Sequence, residues 1–319
     1  MKRGLWVLAV CVGAIGVPTL AAVHWDYSGW FAYDPSMPLN ARLTPVTTTE
    51  YAERYELRLS SLSGEDIVGF LDLPLSPPPH PLIILQGGYH RGRDALTLVG
   101  DEVVKRGYAL FSMNYRYGGS VDNPVLLYFQ VRGAMRDAVL DLRRALDYFE
   151  TRPDVAEDQI VMVGVSLGAL FGPILAAVDG RIDYLALIYG GGDLPKVVRA
   201  NSPFHPVLTE IMVGITRVVY APFEPLKYAA RISPTPLFMV HGTSDQWVPG
   251  DCAREFYAEA GEPKTLIWHE HGHIRAFHAD EIMKLVQRCL GWLDGELNRG
   301  SAYPGASGGA GSSLGHPPG

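Results

Sequence analysis

The segment from Gln159 to Val178 constrains this chain more than any other. Ile160, Val161, Met162 and Val163 form an unbroken apolar run. Such a run suits a central strand of a parallel sheet, covered on both faces. Gly164-Val165-Ser166-Leu167-Gly168 follows at once, and a short helix is predicted from about Leu167 to Val178. A strand entering a helix through G-x-S-x-G is the pattern of a nucleophile elbow. The chemistry accounts for the spacing. A serine hydroxyl is a poor nucleophile unless it is exposed, aimed and set beside a base. A tight strained turn presents it, and glycines two residues to either side let strand and helix pass closely. The helix amino end then favours negative charge beside the serine. The alternative is an ordinary turn serine in a glycine-rich chain. The strand before it and the helix after it weigh against that.

A motif of this kind needs a large domain around it. The chain has 319 residues, 47% hydrophobic and 19% charged, which fits one α/β domain with a substantial core. A formal net charge of −7 argues against a nucleic-acid partner. The amino terminus stands apart. Met1, Lys2 and Arg3 begin with a basic flank, and residues 5–23 carry no charge. As a helix they would extend roughly 28 Å, about one hydrocarbon core. Residues 1–23 therefore read as either a cleaved signal peptide or a retained membrane anchor. Either places the catalytic domain outside the cytoplasm: secreted, periplasmic or anchored. The anchored case ties the chain to a membrane through residues 5–23. The body, residues 24–298, holds Cys252 and Cys289. On different helices and opposite sheet faces, they are expected as two free buried thiols.

Residues 24–49 are rich in aromatics and prolines and are expected as an extended lead-in. Two antiparallel strands are predicted over Tyr51 to Ser61 and Asp66 to Leu73, turning at Ser63-Gly64. Strands are predicted next at Leu82 to Leu85, Ala109 to Asn114, Tyr184 to Ile188, Leu237 to Val240 and Thr265 to Trp268. Helices are predicted at Asp94 to Arg106, Gln130 to Thr151, Cys252 to Ala260 and Ala279 to Leu297. Asp94 is the expected amino cap of the first, and Gly107 its carboxyl cap. Val131, Ala134, Ala138, Leu142 and Leu146 give the long helix its apolar stripe. Residues 193–233 interrupt the strand rhythm and hold an apolar, helical stretch from Val207 to Tyr220. They read as a small cap over the site. Residues 299–319 are Gly, Ser, Ala and Pro for the most part, a tail too polar to order itself. Strands alternating with helices imply a mostly parallel central sheet, helices on both faces and right-handed crossovers. Sites in such sheets form at the carboxyl ends of strands. Gly88, Ser166, Asp245 and His273 all follow predicted strand ends.

Taken together, Gln86-Gly87-Gly88, Asn114-Tyr115-Arg116, the Ser166 pentapeptide, the run from His241 to Pro249 and Gly272-His273 resemble the α/β-hydrolase superfamily. The prolyl-oligopeptidase-like and dienelactone-hydrolase-like branches are the nearest in pattern. The resemblance spans roughly Tyr51 to Leu297 and implies an α/β-hydrolase fold. By resemblance, Ser166 is the nucleophile and Asp245 the acid that orients the base, with Asp251 in reserve. His273 is the base, since the family carries it as Gly-His after the last strand; His271 is its competitor. The chain order Ser, Asp, His is the expected one. The oxyanion donors are the backbone N–H groups of Leu167, next to the nucleophile, and Gly88. Tyr89 is an auxiliary donor. Where the family often has His before this glycine, the chain has Gln86, a change that leaves backbone donation intact.

The string from His269 to His273 also spells H-E-x-x-H, a zinc-protease motif that requires a helix. It follows an extended stretch and contains Gly272, so no metal and no cofactor are expected. The resulting expectation is a serine hydrolase cleaving carboxylic esters through an acyl-enzyme. Its partner would be a small-molecule ester, hydrophobic if the apolar cap sets the pocket. A serine peptidase of the prolyl-oligopeptidase type is the alternative within the fold. A non-catalytic, membrane-anchored binding protein is the alternative outside it.

Overall fold

The computed structural model describes residues 26–88, 92–116 and 124–301. The apolar amino-terminal stretch, Tyr89 and the chain after Ser301 lie outside the described residues. Among the described residues nine strands form one sheet: β1 (Arg42–Thr48), β2 (Ala52–Ser60), β3 (Asp66–Pro74), β4 (His80–Gln86), β5 (Ala109–Met113), β6 (Val155–Val165), β7 (Tyr184–Ile188), β8 (Leu237–Gly242) and β9 (Lys264–His269). The helices are α1 (Leu96–Val104), α2 (Pro124–Phe149), α3 (Gly168–Val178), α4 (Leu194–Asn201), α5 (Pro206–Val219), α6 (Leu226–Ile232), α7 (Gly250–Glu259) and α8 (Ala279–Ser301).

The strand order is β1-β2-β3-β5-β4-β6-β7-β8-β9. The first three strands are an antiparallel meander, and β3 pairs antiparallel with β5. From β5 to β9 every pairing is parallel. Side chains alternate across the central strands as a period of two requires. Leu82, Ile84, Ile160 and Met162 enter one core layer with α2, α3, α6 and α7. Ile83, Leu85, Val161 and Val163 enter the other, with α1 and α8. The chain steps outward from β4 to β5, then α2 carries it back across to β6. The reversal opens a crevice at the carboxyl ends of β4 and β6, where ligands bind in such sheets.

Four local expectations change. Arg42–Thr48, read as lead-in, is a strand paired to β2. It is an edge strand, solvated along most of its length, so no apolar alternation marks it; its register shifts between Pro45 and Thr47. Asp94 does not cap α1: it lies in a 3₁₀ turn (Gly92–Ala95), and its carbonyl accepts from the Thr97 hydroxyl at 2.7 Å. Helix α2 starts at Pro124, not Gln130, since proline suits a first turn whose N–H has no intrahelical partner. Helix α8 runs through Ser301, so its end overlaps the predicted start of the tail.

The 193–233 insertion forms α4, α5, the 3₁₀ turn Ala221–Phe223 and α6. Its outer face leaves Val207, Leu208, Ile211 and Ile215 exposed. The lead-in packs on it: Phe31, fully buried, meets Phe223 at 6.0 Å and Tyr228 at 6.5 Å, edge to face. Among the described residues no single helix is long and apolar enough to cross a membrane.

Candidate active site

Ser166 directly follows β6 with φ of 54°, the left-handed region that serine seldom adopts. Such a conformation costs on the order of 1–3 kcal/mol and persists only where its surroundings enforce it. Here the flanking glycines do so. A β-carbon on Gly164 would lie 2.5 Å from the Gly168 carbonyl oxygen, and one on Gly168 would strike the Gln86 carbonyl. The Ser166 N–H donates to the Ile188 carbonyl at 2.9 Å, tying the turn to β7.

The loops after β8 and β9 bring two further groups to the serine. Ser166 Oγ lies 2.9 Å from His273 Nε2, and His273 Nδ1 lies 2.8 Å from Asp245 Oδ2. The Asp245 side chain is fully buried. Its other oxygen accepts the N–H groups of Trp247 and Val248 at 2.8 and 3.0 Å. Burial acts to raise this carboxyl's pKa, but the bonds from His273 and the backbone outweigh it and hold the group below its ordinary value. Asp245 is therefore an anion, hydrogen-bonded to one imidazole nitrogen and two backbone N–H groups. Asp251 lies elsewhere, exposed on the first turn of α7 and paired with Arg254 at 2.9 Å.

The other predicted residues fall as follows. Leu167 caps α3 directly after the serine, so its N–H belongs to the helix amino end. Gly88 follows β4, and a β-carbon there would lie 3.8 Å from Ser166 Cβ and 4.0 Å from Oγ. Both backbones therefore flank the hydroxyl. The H-E-x-x-H string does not form a helix. His269 ends β9 with Nε2 2.9 Å from Glu281, His271 Nδ1 lies 3.0 Å from the Gly272 carbonyl, and His273 reaches the serine. Among the described residues no group of three or more His, Cys, Asp or Glu side chains is placed to hold a metal ion. Cys252 and Cys289 are free and buried, and burial pushes each thiol up to about 12.

Three supports escaped the sequence reading. Tyr189, left-handed at φ 58°, sets its ring edge-on to His273 at 5.5 Å and beside His241 at 5.9 Å. Trp247, half exposed, lies 6.5 Å from His273. The Tyr115 hydroxyl donates to the Gly87 carbonyl, and its ring packs on Phe171 at 5.6 Å, fixing the turn that carries Gly88. Beside it Arg116 grips Asp141 through two bonds of 2.6 and 2.9 Å. The Asn114-Tyr115-Arg116 stretch was visible in the sequence; which side chain touched the turn was not.

A cavity of about 370 Å³ opens at Ser166 and Gly88 and descends between the sheet and helices α1 and α8. None of its lining residues comes from the 193–233 insertion. The insertion does not wall this cavity, although its Asn201 donates to the Trp247 carbonyl at 2.6 Å. The insertion packs with α3 and α7 on the opposite face of the sheet, so α1 and α8 form the cavity walls.

No protein-family model matches the chain. It is 27% identical over 198 residues to the uncharacterized protein YfhR of Salmonella typhimurium, covering 58% of this chain and 64% of that one. YfhR of Escherichia coli is 27% identical over 178 residues, covering 54% of this chain and 56% of that protein. The chain thus spans less than two thirds of the length of these curated relatives. Among solved structures, an acetyl xylan esterase from a Paenibacillus species superposes with a TM-score of 0.65 at 18% identity, covering 82% of this chain and 92% of that one. Acetyl xylan esterase 1 from a Thermoanaerobacterium species gives 0.62 at 19% identity, covering 82% and 91%. The esterase domain of a Rhodothermus marinus protein gives 0.55 at 18%, covering 75% and 97%. The chain has the α/β-hydrolase fold: a mostly parallel central sheet with helices on both faces.

Proposed function

We propose that this protein is a serine hydrolase that cleaves carboxylic esters through an acyl-enzyme. The observation that carries the reading is the continuous path from Ser166 Oγ to His273 to buried Asp245, at 2.9 and 2.8 Å. The esterases among the similar structures support the same class. Ser166 Oγ attacks the ester carbonyl carbon while its proton passes to His273 Nε2. The carbonyl electron pair moves to oxygen, which the Leu167 and Gly88 N–H groups receive. When the pair returns, the bond to the alcohol oxygen breaks, and His273 gives that oxygen its proton. A water then attacks the acyl-enzyme, with His273 again as base, and releases the acid and free Ser166. Asp245 holds the imidazole with its Nδ1–H toward the carboxylate, so Nε2 is left to accept from serine.

A fluorophosphonate probe tests the reading directly. Label is expected on Ser166 by peptide mapping. Ser166→Ala should abolish labelling and lower ester hydrolysis about 10⁴-fold or more while the fold persists. Label on a different serine, or unchanged turnover in the alanine variant, would refute the assignment.

A further inference from the structure

The cavity beside Ser166 is larger than an acetyl group needs, and its walls are almost wholly apolar. On the sheet side it is lined by Ile83, Leu85, Leu110 and Val163. These are neighbours in register, Ile83 opposite Leu110 and Leu85 opposite Val163. On the helix side Ile282, Leu285, Val286, Cys289 and Leu290 line it, one stripe of α8. At 1.5 Å per residue the stripe from Ile282 to Leu290 measures about 12 Å. The cavity is therefore a slot running down from the serine, not a shallow dish.

Its ends differ. Beyond the deep end, the turn between α1 and β5 is joined to α8 by Arg106 and Tyr108, bonded to Asp294 at 2.5 and 2.7 Å, while Gln287 bonds Glu102 of α1 at 2.9 Å alongside the slot. At the mouth stand Gly88, Ser166, Ile274 and Arg275. Of these, only Arg275 is charged. The wall groups at depth hold no charge, and the Cys289 thiol is kept protonated by burial. Interiors are normally close-packed, and an open cleft with apolar walls favours an apolar occupant.

His273 does not line the slot. The departing alcohol must leave beside His273 Nε2, the group that protonates it, so the slot lies on the acyl side of the scissile bond. A slot about 12 Å long with a volume of about 370 Å³ suits an extended apolar chain better than a two-carbon group. Resting on the ester-hydrolase reading above, we propose that this slot is an acyl-chain site and that the preferred substrates are esters of medium-chain, unbranched fatty acids of about eight to twelve carbons. The exposed apolar cap has no part in setting that length.

The test uses the full chain with p-nitrophenyl esters from acetate to palmitate. We expect kcat/KM to rise several-fold per added carbon pair from acetate, peak between octanoate and dodecanoate, and fall at palmitate. A profile highest at acetate overturns the proposal while leaving the serine-hydrolase reading intact. Cys289→Phe, placed to fill the deep end, should cut the decanoate-to-acetate ratio at least tenfold. An unchanged ratio in a variant with a native circular-dichroism spectrum also overturns it; if that variant does not fold, the wild-type profile decides. Calorimetric titration of Ser166→Ala with decanoate separates the two readings, because it needs no turnover. Binding is expected, weakened at least tenfold by adding Cys289→Phe; absence of binding sinks the acyl site even if short esters are cleaved. Inability of the wild type to hydrolyse any ester, with decanoate still bound, would instead refute the enzyme reading alone.

Discussion

Between Ser166 and Asp245 stands one imidazole, and its neighbours determine its use. His273 touches both groups, whereas His271 turns to the Gly272 carbonyl and meets His278 edge to face at 4.6 Å. His269 is buried against Glu281. Three histidines in five residues thus have three different surroundings. The expected outcome is that His273→Ala falls about as far as Ser166→Ala, while His271→Ala retains most activity. Adding His273→Ala to Ser166→Ala should cost little more, because such residues act as a unit. Steady-state kinetics on one ester decides it. A dead His271→Ala beside an active His273→Ala would move the base by two residues and leave the fold untouched.

At the scale of elements, the site depends on how the lead-in and the long helix α2 are held. Arg144 of α2 is almost wholly buried, with 1% of its side chain exposed. It donates to the Met37 and Pro38 carbonyls at 2.7 and 3.0 Å and pairs with Asp147 at 3.1 Å. Next to it Arg143 donates to the Phe31 carbonyl at 2.6 Å and to Asp179 at 2.8 Å. These arginines staple an irregular segment, which has few backbone partners of its own, to the sheet's helical cover. Replacing Arg144 with Met keeps much of the stem packing and removes the donor to the Met37 and Pro38 carbonyls and one partner of Asp147. A loss of about 1–3 kcal/mol is expected, read as a lower urea midpoint. Ester turnover below the transition should persist, because Arg144 is remote from Ser166. A variant as stable as the parent would mean the lead-in is held by its aromatic contacts alone.

For the molecule as a whole, acid sensitivity follows from a second buried histidine. His241, fully buried at the end of β8, donates from Nε2 to the Val248 carbonyl at 3.0 Å and lies 3.9 Å from Asp245. Burial lowers its pKa below the ordinary histidine value, with Asp245 opposing that shift. The folded protein therefore keeps His241 neutral. An unfolded chain takes up the proton below about pH 6.5, so it binds more protons than the native state there. Stability is fully present above that pH and declines as pH falls toward the lowered native pKa. The slope is at most about 1.4 kcal/mol per pH unit for this group. Urea midpoints should fall between pH 7 and pH 5. His241→Gln, which can keep a donor for the Val248 carbonyl, should fall less steeply. Equal slopes for both proteins would show that His241 does not carry the dependence.

Much of the fold was legible because its signals are local. The apolar runs of β4 to β9 and the stripe of α2 each follow from a period, and G-x-S-x-G with Gly164 and Gly168 announces the Ser166 turn. The family resemblance then marked Asp245 and His273, which lie far apart in the chain. Edge strand β1 was not legible, since a strand wet along most of its length carries no apolar alternation. Contacts of Tyr115 and Tyr189 were hidden too, because a side chain's partner across the sheet has no trace in its own neighbourhood. The pocket is the clearest case. Val163, Leu110 and Cys289 read as ordinary core residues in sequence, and the apolar stretch in 193–233 as the wall of the site. Only the crossing of α2, which sends the insertion to one face and leaves α1 and α8 on the other, decided which apolar surface meets Ser166. Local sequence determines which residues seek burial; the order of strands in the sheet determines what they are buried against.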